Sequence, residues 1–339
     1  MRLKMFKALL PYYGGKRKLC PIIFKKISEY LPREKWSKSV FVDAFLGSGA
    51  VSLYAKAQGF RIVANDIAER SYIAGKAIIE NNQTLLTDDD LRRFCFPNGN
   101  GIGLIEKNFV PDVFTRKHAA FLDTAFANAK RPLEKYVLLK YIFAVRPYSK
   151  FSSPNAFNRP MEEGHFDEIK PTYTKHIKDN LKPPLAILKA EKEMVNTGIF
   201  SNGHENQIFK KDVFEFVNEA EGDILYLDPP YAGTMAYERE YEVLDKILGE
   251  ETKPRSEFSH KGGMDALDQL LKRCEKFPLW VISFGNAGGK NDLGKLVEIV
   301  SKYRKCEAKE FSYQHCGAVA SEEHKQKSKE WLILGYHEN

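Results

Sequence analysis

Cysteine is scarce in this chain, long apolar runs are missing and the dinucleotide-binding glycine pattern is incomplete; each shortage removes a class of function. Only five cysteines occur in 339 residues (Cys20, Cys95, Cys274, Cys306 and Cys316), and no two of them form a C-x-x-C pair. An odd count without metal-ligand spacing argues against a disulfide framework and a zinc site, and predicts reduced thiols in a metal-free cytoplasmic protein. No apolar stretch approaches the roughly 20 residues of a membrane span, and the opening M-R-L-K-M-F-K lacks the apolar core of a secretory signal. G-x-x-x-x-G-K-[ST] is absent, so Gly14-Gly15-Lys16 is not a P-loop. Internal repeats and low-complexity tracts are absent as well.

What is present is concentrated in a few short segments. Ile224 to Tyr231 reads I-L-Y-L-D-P-P-Y, four buried-type residues that stop at an acidic residue, two prolines and a tyrosine. Such a run predicts an internal parallel strand, and ligand sites in open α/β sheets lie at the carboxyl ends of such strands. Asp228, Pro229, Pro230 and Tyr231 would sit there. The prolines fix the main chain and leave its carbonyls to accept hydrogen bonds. A carboxylate, a rigid carbonyl and an aromatic face suit a planar base carrying an exocyclic amino group. Alone, these residues also fit a plain strand and its turn.

A second strand-to-turn segment lies far upstream. Val40 to Ala50 reads V-F-V-D-A-F-L-G-S-G-A, a strand running into Phe45, Gly47 and Gly49 and then a helix over 50–58 that Gly59 can cap. Glycines two apart let backbone approach a ligand closely at a helix N-terminus. Asp66 closes the next strand, R-I-V-A-N-D, and an acidic residue there is placed to bind ribose hydroxyls. The third glycine of G-x-G-x-x-G is replaced by Ser52, which fits a nucleoside ligand without a pyrophosphate better than NAD.

Y-Y-G-G-K (Tyr12 to Lys16), F-L-G-S-G (Phe45 to Gly49), N-D (Asn65, Asp66) and D-P-P-Y (Asp228 to Tyr231), in that order, resemble the motifs of the alpha-class N6-adenine DNA methyltransferases, the DNA adenine methylase family. The resemblance implies a Rossmann-like doubly wound, mainly parallel sheet of the class I methyltransferase type, S-adenosyl-L-methionine as cofactor and double-stranded DNA as partner. It also implies that the aromatic and lysine of the first motif, Tyr12 and Lys16, contact the cofactor together with Gly14, with Lys16 paired to the methionine carboxylate. Tryptophan is more usual than tyrosine at position 12. Asp212, in I-F-K-K-D-V-F-E-F, matches an acidic residue near the cofactor's adenine, and it is also a natural N-cap for a helix over 213–219.

Strand patterns fall before and after the middle of the chain, with helical patterns between them, as in an α/β fold. The division expected is a catalytic domain over 1–83 and 207–339, with a mostly helical target-recognition domain inserted at 84–206. Helices are predicted from Asp88 and near 116–129, 133–145, 265–274 (Asp265 as N-cap) and 293–303. Within the insert, Y-I-F-A-V-R-P-Y-S-K-F-S-S-P-N-A-F-N-R-P interleaves cations and aromatics, and makes Arg146, Tyr148, Lys150, Asn158 and Arg159 the candidate DNA contacts. F-N-R-P faintly resembles the family's F-N-V-P, though M-E-E-G follows it. Lysine plus arginine exceed aspartate plus glutamate by 52 − 45 = 7, a modest bias toward an anionic partner. The charged stretch 232–263 reads as a mobile loop. An N4-cytosine or RNA amine methyltransferase would use the same geometry, and a non-catalytic or NAD-binding Rossmann protein is a more remote alternative.

Overall fold

The computed structural model describes residues 2–12, 14–95, 103–111, 113–145, 182–230, 241–251, 256–259, 262–286, 291–312 and 329–337. Seven strands form one sheet: β1 (Val40–Asp43), β2 (Arg61–Asn65), β3 (Gln207–Phe209), β4 (Ile224–Leu227), β5 (Leu279–Gly285), β6 (Lys305–Ser312) and β7 (Lys329–Tyr336). Their spatial order is β3-β2-β1-β4-β5-β7-β6. β1 to β5 pair in parallel, whereas β7 is antiparallel to β5 and to β6. The sheet is therefore mainly parallel, as expected. The strand order reverses between β1 and β4, and in such sheets the crevice at that reversal is where ligands bind.

Alternation along each strand divides the interior in two. Phe41, Ile62, Ala64, Tyr226 and Val281 pack into one core, with the helices Cys20–Tyr30 and Ala50–Gln58. Val42, Val63, Leu225, Leu227 and Ile282 pack into the other, beneath Val213–Glu219, Gly263–Arg273 and Leu293–Ser301. Helices on both faces make the sheet doubly wound. They also explain why β4 is apolar at every position, since neither face meets water.

Two strands escape the sequence pattern. β3 is three residues long, and β6, K-C-E-A-K-E-F-S, is a charged edge strand, which is how edges are kept from pairing with other chains. The Ala50–Gln58 helix ends on Gly59 in the left-handed region (φ 98°), as expected. Asp212 caps Val213–Glu219, accepting from the Phe214 N–H at 2.8 Å. Asp265 is not an N-cap. Its helix begins earlier, at Gly263, and leaves Asp265 in the first turn, where its negative charge complements the positive end of the helix dipole.

The middle of the chain supplies the helices Asp88–Cys95, Leu104–Phe109, Arg116–Asn128, Pro132–Val145 and Pro184–Asn196. Pro132–Val145 is buried along nearly its whole length and grips the N-terminal segment. Tyr136 donates its hydroxyl to the Ala8 carbonyl (2.9 Å) and accepts from the Leu10 N–H (3.2 Å). Lys140 donates to the Lys7 carbonyl at 3.0 Å. The chain leading to Tyr12 and Lys16 is thereby fixed against the sheet before it reaches the site.

Candidate active site

β1 feeds directly into the turn Ala44–Gly49. Gly47 (φ 53°) and Gly49 (φ 76°) both adopt the left-handed region that favours glycine, and they fold the turn back onto the start of the Ala50–Gln58 helix. A side-chain carbon at Gly47 would lie 3.4 Å from the Tyr12 ring, an ordinary contact distance, so the demand for glycine comes from the backbone angle. Asp66, at the end of β2, braces the turn: its Oδ2 accepts from the Gly47 N–H at 2.8 Å and its Oδ1 from the Ala68 N–H at 2.9 Å. Burial raises the Asp66 pKa above the usual carboxylate value, and these two donors oppose the rise.

The carboxyl ends of β1, β2 and β4 enclose one cavity of about 450 Å³. Of the residues expected from sequence, Tyr12, Gly14, Lys16, Phe45 and Gly47 line it, as do Asp66, Asp212, Asp228, Pro229 and Pro230. Gly49 is not in the lining; it shapes the turn from behind, donating to the Leu46 carbonyl at 2.8 Å. Tyr231 lies outside the described residues. So do Arg146, Tyr148, Lys150, Asn158 and Arg159.

Arg70, Asp245 and Phe258 line the cavity without having been expected, and Tyr241 packs beside them. Tyr12 stacks on Tyr241 with ring centroids 4.9 Å apart and planes 18° from parallel. The Arg70 guanidinium sits 4.5 Å from the centroid of the Tyr241 ring, and its Nη1 donates to both carboxylate oxygens of Asp245 at 2.6 and 2.5 Å. Arg70 lies in the first turn of the helix Glu69–Ala74, which follows the Asp66 turn, and no sequence pattern flagged it. Tyr241 and Asp245 belong to the stretch read as a mobile loop. Its described parts include a helix Glu242–Ile247 against the cavity and Phe258 edge-on to Phe45 at 5.4 Å. A few apolar anchors, Tyr241, Leu244 and Phe258, outweigh the charged composition around them.

At the transfer end, Lys16 is 3% exposed and its ammonium lies 2.9 Å from Asp228 Oδ1 and 2.9 Å from Glu330 Oε1. It also donates to the Gly14 carbonyl at 3.2 Å. Three acceptors thus face its three N–H groups. Asp228 keeps 20% of its side chain exposed and faces the cavity, while Glu330 is 1% exposed. Asp43 lies behind them. Burial pushes its carboxyl up to about 7, the Ser52 hydroxyl that donates to it at 2.6 Å opposes this, and the Asp228 charge adds to the rise. The side chain at the missing third-glycine position is therefore in use.

A doubly wound sheet with a glycine turn after β1, an acidic residue after β2 and D-P-P at the end of β4 defines a class I methyltransferase. Residues 12–279, most of the chain, match the model of the D12 class N6 adenine-specific DNA methyltransferases, and the chain belongs to that family. It is similar to the Type II methyltransferase M2.HphI of Haemophilus parahaemolyticus, 28% identical over an alignment covering 95% of this chain and 96% of the relative. The Type II methyltransferase M.NlaIII of Neisseria lactamica is 24% identical, with 94% and 95% covered. Modification methylase StsI of Streptococcus sanguinis is 24% identical over 89% of this chain and 49% of that protein. The protein is an adenine-N6 DNA methyltransferase, and its substrates are DNA and a methyl donor. Among the described residues, no helix is long and apolar enough to cross a membrane, and no three metal-binding side chains gather.

Proposed function

We propose that the cavity binds S-adenosyl-L-methionine and that Asp228 and the Pro229 carbonyl receive the N6 amino group of an adenine turned out of duplex DNA. The observation that carries this reading is that Asp66, the glycine turn and a partly exposed Asp228 share one nucleoside-sized cavity at the sheet's switch point. The residues fit the cofactor: Asp66 for ribose hydroxyls, Asp212 for the adenine edge, Tyr12 and Phe45 for aromatic contact. Ser52, tied to Asp43, occupies the position a pyrophosphate-binding glycine would need. When bound, the cofactor supplies an activated methyl group.

The protein's own share of the chemistry is acceptance and alignment. The N6 lone pair is delocalised into the adenine ring, so the amine is a weak nucleophile until N6–H bonds to Asp228 and the Pro229 carbonyl localise it. Tyr231 stacks on the base. Turning the nucleotide out costs a few kcal/mol of unstacking. Holding donor and acceptor in line then supplies much of the acceleration. DNA is read by an inserted domain over 84–206, with Arg146, Tyr148, Lys150, Asn158 and Arg159 as contacts. The Type II methyltransferase names of the relatives support a restriction-modification setting, and methylation at a specific site in the cytoplasm completes the reading.

The test is incubation with cofactor carrying a deuterated methyl group and unmodified duplex DNA, followed by mass spectrometry of the nucleosides. Label should appear in N6-methyldeoxyadenosine. Asp228→Ala should keep the fold and lose on the order of 10²–10³ in single-turnover rate, the cost of removing one preorganised electrostatic partner. Label in N4-methyldeoxycytidine, or a wild-type rate in Asp228→Ala, would defeat the reading.

A further inference from the structure

We propose that Glu330 is a positioning residue for methyl transfer: by sharing the Lys16 ammonium, it keeps Asp228 able to accept the N6–H bond. This rests on Asp228 being the acceptor. Glu330 is remote in sequence and reaches the site only because β7 runs antiparallel to β5, which places its first residues beside the carboxyl end of β5, with Glu330 opposite Gly285. There its Oε1 accepts from the buried Ser283 hydroxyl at 3.0 Å and lies 2.9 Å from Lys16 Nζ.

A carboxylate 1% exposed carries a large desolvation cost, and burial without a charged partner would neutralise it. Lys16 is that partner, and it is also the partner of Asp228. One cation between two carboxylates leaves the trio with a net negative charge. As the bond from the methyl carbon to N6 forms and the bond to the donor's leaving atom breaks, with its electron pair going to that atom, N6 gains positive charge and then gives up a proton to water. A carboxylate wholly neutralised by its own lysine would answer that charge poorly. Glu330 draws part of the ammonium's field away and, together with the Gly14 carbonyl, holds the lysine at a fixed place beside Asp228.

The test compares Glu330→Gln, which keeps the shape and loses the charge, with Glu330→Asp, which keeps the charge and shortens the reach. The readout is single-turnover methyl transfer at saturating S-adenosylmethionine and DNA. Glu330→Gln should be about tenfold slower, inside the range of coupling between residues in direct contact. Glu330→Asp should be the faster of the two, and both should bind cofactor and DNA within about twofold of wild type. In a Lys16→Met background the Gln substitution should cost less than about twofold, because its effect passes through Lys16. A role in packing alone predicts the reverse order, since glutamine is the better steric match. The proposal is overturned if Glu330→Gln reacts at the wild-type rate, if Gln outperforms Asp, or if the loss falls in binding. Should Glu330→Gln fail to fold, Ser283→Ala removes one hydrogen bond from the carboxylate and should slow the same step by a smaller factor; an unchanged rate there also overturns it. Asp228→Ala at the wild-type rate would instead defeat the reading beneath this one.

Discussion

Asp66 braces the glycine turn with both oxygens of its carboxylate, and the proposed reading adds the cofactor ribose. Each oxygen accepts a backbone N–H, from Gly47 and from Ala68, and each has a second lone pair for a ligand. Asp66→Ala should therefore weaken S-adenosylmethionine binding by roughly 1.5–3 kcal/mol and also lower stability by about 1–3 kcal/mol, because the buried turn loses its acceptor. Calorimetric titration beside urea unfolding separates the two losses. Wild-type affinity in the variant would remove Asp66 from the cofactor site. Lys16 is a less direct probe. Its ammonium already faces Asp228, Glu330 and the Gly14 carbonyl, so Lys16→Ala exposes a buried charge imbalance as well as any loss of cofactor contact.

The Ala50–Gln58 helix shows how an element is held by a group that sequence would leave in water. Lys56 is fully buried, and its ammonium reaches the carbonyls of Ile78 (3.2 Å) and Asn81 (2.9 Å) at the end of the next helical segment. Desolvation pushes its pKa down to about 7. A lysine depressed in the folded state binds fewer protons there than in the unfolded chain between about pH 7 and 10.5, so it contributes stability that rises through that window. Relative to Lys56→Met, the wild type should gain up to about 1.4 kcal/mol per pH unit across it, the value of one proton. Urea midpoints measured at several pH values would show this. A difference independent of pH would mean that the lysine keeps its ordinary affinity.

Over the whole molecule, the net charge of +7 is modest, and affinity for DNA must come from where the cations lie. If Arg146, Lys150 and Arg159 follow phosphates, alanine at any one of them should lower the slope of log affinity against log salt by about one. Unchanged slopes in all three variants would move the reading surface elsewhere. The middle helices also matter to the catalytic half. Pro132–Val145 joins the same core as the sheet's Cys20–Tyr30 face and holds the segment that carries Tyr12 and Lys16, so the cavity and this middle helix are mechanically continuous.

Legible in the sequence were the strands β1, β2, β4, β5 and β7, the glycine turn, the place of Asp66 after β2, the cap at Asp212 and the D-P-P turn after β4. Each is a local matter: an apolar run with a sharp end, a backbone angle that favours glycine, or a side chain bonding two residues away. β3 and β6 were illegible because one is too short for a pattern and the other is an exposed charged edge. Tertiary structure alone decided that Tyr241 and Asp245 close on Tyr12 and Arg70, and that Lys16 lies between Asp228 and Glu330. Those partners are separated by more than a hundred residues along the chain and meet only through strand order and the reversal of β7. Burial then makes their charges interdependent, and no local pattern records that.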